Sequence, residues 1–504
     1  MDLERFRLRR FLESLPPEEL ERIEKPVELG DVAALHEGNP KAVWLAQAGP
    51  ERAQLAANVA ASRSRLARAF DTTPEKLLAE VLQRLGHAGE VVEVKQSPAQ
   101  EVVEKDPDLT ALPVHLQHAY DGAPYISASV DFTRDAASGL SNVGIRRLML
   151  RGRREAGIDL NSPSDLRAIY QAATARKQRL PIAFVVGSHP IDQVAATMRI
   201  AGDELTLISA LRGAPLPVVK CVSCDLRVPA DAEYVLEGYL DERGYAEPEG
   251  PYGEFLGYYG ALKTNPVFHL TAITHRRDAV FQASTISGRA LSRTDTAQLN
   301  ALRAEVTAWR ALETAVREPR AVYATPASGG AFNMRVSLRQ RVPGEARNAI
   351  AAVLGCLANV KHVFVVDADV DVFSDEQIDW ALATRFQAGR DLILVSGLRA
   401  MPLDPSLRGE RTTSKAGFDL TLPLGAASGI EAKTPGPPSY DGPRFASLEA
   451  ALADGPKFFV ELMAARGSRD GREVVRDLER LRQAGGLERD AEGRYVHRPG
   501  ARAR

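Results

Sequence analysis

The chain has 504 residues and a mass of 54.7 kDa, room for two to four domains with well-filled cores. Its 44% apolar and 26% charged residues exclude collagen-like, mucin-like and extensively disordered classes. The 64 Lys and Arg nearly cancel the 66 Asp and Glu, leaving −2, so no basic field exists to gather nucleic acid or anionic lipid. Cys221, Cys224 and Cys356 are too few for a disulfide framework, which points to a reducing compartment and a cytoplasmic protein.

In chain order, the N-terminal Met-Asp-Leu-Glu-Arg-Phe-Arg-Leu-Arg-Arg-Phe-Leu alternates charge with apolar residues and reads as an amphipathic helix, not a leader. Apolar residues at helical spacing predict helices over 51–70 and 74–85, within a lobe that runs to about residue 115. From 119 to about 287 the texture changes to β-branched and aromatic runs broken by Gly and Pro, which predicts mostly strands. A helix over 294–318 leads into alternating strand and helix, including the strand at 362–366 and a helix capped by Ser374 with Gln377. Helices over 446–465 and 473–483 follow a Pro/Gly-rich linker at 434–443. The longest apolar run, 349–357, is about half the ~20 residues of a membrane span.

Several segments carry candidate chemistry. Cys221 and Cys224 have zinc-knuckle spacing but no second pair, so they read as two thiols inside a strand. Asp367, Asp369 and Asp371 suit either a metal held by a nucleotide-sugar transferase or, in the plainer reading, acids ahead of a helix N-terminus. The segment from Glu247 to Tyr259 holds Glu249 and Glu254 in a Gly/Pro-rich turn, and paired carboxylates in low dielectric split their pKa values into an acid and a charged neighbour. Read as a strand, 141–150 places Val143, Ile145, Arg147 and Met149 on one face, so a guanidinium interrupts an apolar row and needs an anionic partner, a structural acid or a substrate carboxylate. Asn142 falls on the opposite face unless Gly144 marks a bulge.

Six separated motifs, spanning roughly residues 100–425, give the chain its resemblance to a known family. They are Asp108-Leu-Thr-Ala-Leu-Pro113, Asn142-Val-Gly-Ile-Arg-Arg147, Val219-Lys-Cys to Asp225-Leu-Arg-Val-Pro229, Val235-Leu-Glu237-Gly, Glu249-Gly-Pro-Tyr-Gly-Glu254 and Ser414-Lys415-Ala-Gly-Phe-Asp419. In this order they resemble the UbiD family of decarboxylases, which depend on prenylated FMN. The resemblance implies a mixed α/β architecture: an N-terminal α/β domain over 1–118, a central split β-barrel that binds the flavin over 119–310, a C-terminal α/β domain over 311–445 and a helical tail over 446–504. It implies a catalytic network of Arg147, Glu249 and Glu254, with Glu254 as proton donor. It places Asn142 and Glu237 on Mn2+ or Mg2+ at the cofactor phosphate, with K+ nearby, and Ile145, Arg146, Ala196, Thr197, Met198 and Lys415 against the cofactor.

In one stretch the chain departs from that pattern. The histidine that supplies a third metal ligand in many members is missing between Asp159 and Arg167; Asp165 is its candidate replacement, or else simply part of a helix start after Ser162 and Pro163. The implied activity is reversible, non-oxidative decarboxylation of an α,β-unsaturated or aromatic carboxylic acid, through a covalent adduct with the cofactor. A flavin prenyltransferase would supply that cofactor, and the chain would form a homodimer or larger homo-oligomer. Alternatives are a physiological carboxylase or subunit of one, the metal-dependent transferase, and an inactive flavin-binding or assembly protein.

Overall fold

The computed structural model describes residues 2–424 and 435–498, in two units, 1–421 and 422–504. Thr434, where the expected linker begins, lies outside the described residues.

At the centre of the first unit six antiparallel strands close into a barrel. In order around the barrel they are Tyr234–Leu240, Leu180–Val186, Tyr125–Arg134, Ser141–Leu150, Glu155–Ile158 and Val267–His275, the last pairing back to the first. Closure removes the sheet edges. Alternation along each strand sorts side chains: Leu148, Ile182, Phe184, Leu236 and Phe268 fill the interior, whereas Val143, Ala183, Val185 and Val235 join an outer core shared with the helices.

Two smaller layers flank the barrel. The N-terminal four-stranded sheet is built from Leu20–Ile23, Ala42–Ala48, Ala53–Ala57 and Val280–Ala283, so its last strand comes from the segment that the sequence assigns to the barrel domain. Residues 53–57 are therefore strand where a helix is expected, and only Arg63–Ala69 is helical; Ala-Gln-Leu-Ala-Ala packs its small side chains against a paired neighbour strand. The C-terminal sheet has five strands, with Asn333–Leu338, His362–Asp367 and Thr412–Asp419 parallel, and is packed by helices Asp295–Ala315 and Glu345–Cys356. The second unit has its own core, where Leu448, Leu462, Leu478 and Tyr495 meet, and Tyr440 and Phe445 already pack on it. Its expected 446–465 helix is two, Leu448–Ala453 and Phe459–Arg466, divided at Gly455-Pro456. Among the described residues no helix is long and apolar enough to cross a membrane.

Helices Pro190–Thr197 and Glu204–Arg212 cover the outer face of strand Ser141–Leu150. They are locked by Arg212, wholly buried, which bonds Asp192 on the first helix at 2.7 Å and Asp231 at 2.6 Å. Removing one partner of a buried pair leaves the others desolvated and uncompensated. Arg212→Ala should therefore cost about 3–5 kcal/mol, read as a lower chemical-denaturation midpoint with an unchanged slope; a loss below about 1 kcal/mol would show that the triad does not hold the two helices.

Candidate active site

Arg147 projects from the outer face of the barrel. Its row is the one expected: Val143 and Ile145 pack with Ala196 and Met198, while Met149 packs with Tyr125 and Tyr252. The bulge lies on the neighbouring strand rather than at Gly144: Ser129 pairs with Arg146 and Ile126 with Leu148, so Ser127 and Ala128 both stand opposite Arg147.

Four groups fix the guanidinium. Nε donates to Glu249 at 3.1 Å, Nη1 lies 3.0 Å from Glu254, Nη2 donates to Asp159 at 3.1 Å, and the Tyr252 ring lies 4.5 Å from Cζ. Burial opposes the charge on Arg147, but the carboxylates of Glu254, Glu249 and Asp159 more than reverse this and raise its pKa, so it is a permanent cation.

The acids reach it from a loop built for close approach. Strand Glu247–Glu249 pairs with Lys263–Asn265, and Asn265 Nδ2 donates to Glu249 at 3.2 Å. Tyr252–Gly253 pairs with Tyr259–Gly260, which turns Glu254 inward. Gly122 is required here, because a Cβ would stand 2.2 Å from the Gly250 carbonyl oxygen. Asp121 accepts the Gly253 N–H at 2.8 Å, and Gln117 accepts the Tyr252 hydroxyl at 2.8 Å. Burial pushes the Glu254 pKa up; Arg147 and Lys263 pull against it, Asp159 and Glu249 add to it, and the net direction is upward. Asp159 moves the other way: burial raises it, but Arg147, the Asn161 N–H and Lys263 outweigh that and keep it ionised.

A second acidic cluster lies at the start of the same strand. Asn142 Nδ2 donates to Glu204 at 2.8 Å and the Val143 N–H donates to the same oxygen at 2.6 Å. Glu204 is buried, and its pKa is pushed up to about 7 by burial, with Asp165 and Asp131 adding to the shift. Asp165 opens helix Asp165–Ala175, capped by Ser164 rather than Ser162, and lies 3.5 Å from Arg199.

Models of two protein families match this chain: the 3-octaprenyl-4-hydroxybenzoate carboxy-lyase Rift-related domain over residues 90–290 and the C-terminal domain of the same family over 297–420. The chain belongs to the UbiD family. Among solved structures it is similar to the UbiD-class enzyme HmfF from Pelotomaculum thermopropionicum in complex with FMN, at 32% identity and a TM-score of 0.80, covering 86% of this chain and 97% of that one. A dimeric evolved form of HmfF in complex with prenylated FMN gives 31% and 0.75, covering 83% and 95%. It is also similar to the anhydromevalonate phosphate decarboxylase of Methanosarcina mazei, 32% identical over 73% of this chain and 84% of that protein. The mixed α/β fold and the carboxy-lyase class follow for this UbiD-family chain.

Two expected contacts are corrected by the geometry. Glu237 does not face Asn142: its carboxylate is wholly buried elsewhere, accepting from the N–H groups of Val222 at 2.9 Å and Ser223 at 2.6 Å, and the residue beside Asn142 is Glu204. Lys415 is not aimed at a ligand: its ammonium donates to the carbonyls of Leu354 and Leu357 at 3.0 and 2.8 Å, satisfying the otherwise unpaired C-terminus of helix Glu345–Cys356. Ala196 and Met198 line the Ile145 row, with Thr197 Oγ1 bonded to Val194 O. Arg146 Nε lies 3.8 Å from the buried Asp131. Asp367 and Asp369 both pair with Arg385, at 3.3 and 2.7 Å, as acids ahead of a helix rather than an open metal site.

Asp159 and Glu204 are the two residues of these clusters that the sequence reading passed over. Asp159 carried no pattern of its own. Glu204 did: Asp203-Glu204 opens a helix, Asp203 caps it by accepting the Leu205 N–H, and the second acid is left to turn inward.

Proposed function

We propose that this UbiD-family chain catalyses reversible, redox-neutral decarboxylation of an α,β-unsaturated or aromatic carboxylic acid with prenylated FMN as resident cofactor. The observation that carries the reading is Arg147, held between Glu249 and Glu254 on one side and Asp159 on the other, with Tyr252 across its face. The structural relatives bound to FMN and prenylated FMN support the cofactor. So does the fit of the residues: Ile145, Ala196 and Met198 offer an apolar wall along the strand that carries Arg147, and Asn142, Glu204 and Asp165 offer oxygen donors at its start. Oxygen donors suit Mn2+ or Mg2+, which would hold a cofactor phosphate there, with K+ beside Thr197 and Met198.

When bound, the cofactor supplies the electron sink for loss of CO2. The chain supplies the rest. Arg147 has Nη atoms fit to grip a substrate carboxylate, and Glu249 and Asp159 hold that fork in place. Glu254, whose pKa burial raises, keeps the proton that replaces CO2 on carbon. In the carboxylation direction the same carboxylate receives it. We place the enzyme in the cytoplasm as a homodimer, supplied by a flavin prenyltransferase; all three cysteines are free thiols, which supports a reducing compartment.

Three outcomes follow from this arrangement. Glu254→Gln should lower turnover by about 10²–10⁴-fold while flavin content per chain stays at the wild-type level; turnover within a few-fold of wild type would remove Glu254 as proton donor. Lys263 lowers the Glu254 pKa, and the donor works only when protonated, so activity falls as pH rises through that pKa. Lys263→Gln should therefore move the basic limb of the kcat profile to higher pH, and a limb that stays or moves down would contradict the assignment. Glu204→Gln should weaken manganese retention by about tenfold or more, measured by elemental analysis after dialysis. Unchanged manganese would take Glu204 out of the metal site.

A further inference from the structure

Glu237, displaced from the expected metal site, sits in a cluster of its own. It lies on barrel strand Tyr234–Leu240, where the pairing with Val267–His275 shifts register between Glu237 and Gly238. The extra residue is Thr271 on the neighbouring strand, and its hydroxyl donates to the Glu237 carbonyl. The bulge needs glycine at 238, since a Cβ there would meet the His269 carbonyl oxygen at 2.0 Å. The carboxylate points at the turn that follows strand Leu216–Lys220, and the turn closes around it: Val222 and Ser223 donate their N–H groups, and Ser223 Oγ donates at 2.7 Å. The residues flanking that turn are Cys221 and Cys224. Both Sγ atoms and a Glu237 oxygen lie within 4.8 Å of one another.

Charge makes the cluster unusual. Glu237 has no exposed surface, and among the described residues no Lys, Arg or His forms an ion pair with it. The nearby Lys220 is 2.9 Å from Asp225 instead. A buried carboxylate without a counter-charge is costly, and backbone donors offset only part of the cost. Around the ligands a second layer is already built: Ser223 Oγ is 2.6 Å from Thr271 Oγ1, which donates to the Glu237 carbonyl at 3.0 Å.

We propose that Cys221, Cys224 and Glu237 form a site for a thiophilic divalent cation, Zn2+, with water as the fourth ligand. Two sulfurs and one carboxylate oxygen match zinc's preference, and tetrahedral Zn–S and Zn–O bonds of about 2.3 and 2.0 Å set ligand atoms roughly 3.5–3.8 Å apart. Reaching that spacing takes a closure of about an ångström by side-chain rotation. The ion neutralises Glu237 and clips the turn after Leu216–Lys220 to the barrel. It is distinct from the oxygen-donor site at Asn142 and Glu204, on different strands and with different ligand chemistry.

The test uses the full-length chain, reduced, stripped with a chelator and titrated with Co2+. About one equivalent should raise a near-ultraviolet thiolate-to-cobalt band with the visible absorption of a four-coordinate ion, and Zn2+ should abolish both. The band should be lost in Cys224→Ser and kept in Cys356→Ser and in Glu204→Gln. As a readout that needs no variant, Zn2+ should slow alkylation of Cys221 and Cys224 in the wild-type chain by more than about tenfold, followed by peptide mass spectrometry. Absence of a thiolate band, a band that survives Cys224→Ser, or alkylation indifferent to Zn2+ would each overturn the proposal.

Discussion

One guanidinium sets the electrostatics of the whole site. Arg147 is surrounded by Glu249, Glu254 and Asp159, and a second cation, Lys263, lies 3.9 Å from Asp159. Three acids around one buried cation cannot all ionise cheaply in low dielectric, so the proton settles on the carboxyl that gains least from the field. Glu249 has Nε of Arg147 and the Asn265 amide; Asp159 has Nη2, Lys263 and the Asn161 N–H. Glu254 shares Nη1 and is closed in by Gly260, where even a Cβ would come within 2.7 Å of its oxygen. It is the acid with the fewest donors, and that is why burial wins there.

The site also needs two helices at a fixed distance from one strand. Pro190–Thr197 and the Met198 that caps it bring Ala196 and Met198 to the core that the Ile145 row borders, and Glu204–Arg212 brings Glu204 to Asn142. Arg212 ties them together from the far end of the second helix, about two turns from Glu204. The position of Glu204 at one end of this helix thus rests on a buried ion triad at the other.

Local pattern was enough wherever the chemistry lay in contiguous residues. The period of two along 141–150 put Arg147 in an apolar row, and Gly and Pro between Glu249 and Glu254 marked a turn; both are present. Contacts between distant elements were not legible. Glu204 and Glu237 are both buried glutamates near motif residues, and which of them meets Asn142 depends on where a helix packs on the barrel and where strand Tyr234–Leu240 falls within it. Asp159 follows a short barrel strand whose pairing, with Ile158 opposite Leu148, brings it to Arg147. Lys415 looked like a ligand-facing cation because nothing in its neighbours in sequence reveals the helix terminus it satisfies. Residues 53–57 read as helix because Ala-rich segments suit both periods until a partner strand selects one.

At the two sites proposed above, the buried glutamates also differ in the metal each would hold. Most first-row sites bind Zn2+ more tightly than Mn2+, so affinity alone would fill any open carboxylate site with zinc. An amide oxygen and carboxylates around Glu204 would supply only hard donors, on which zinc's advantage over manganese is smaller than on thiolates. The two cysteines beside Glu237 would supply, as thiolates, the soft donors that zinc prefers strongly. In this reading a chain that carries both ligand sets sorts its metals by ligand softness, because the site that would take zinc most avidly is the one that does not face the catalytic strand.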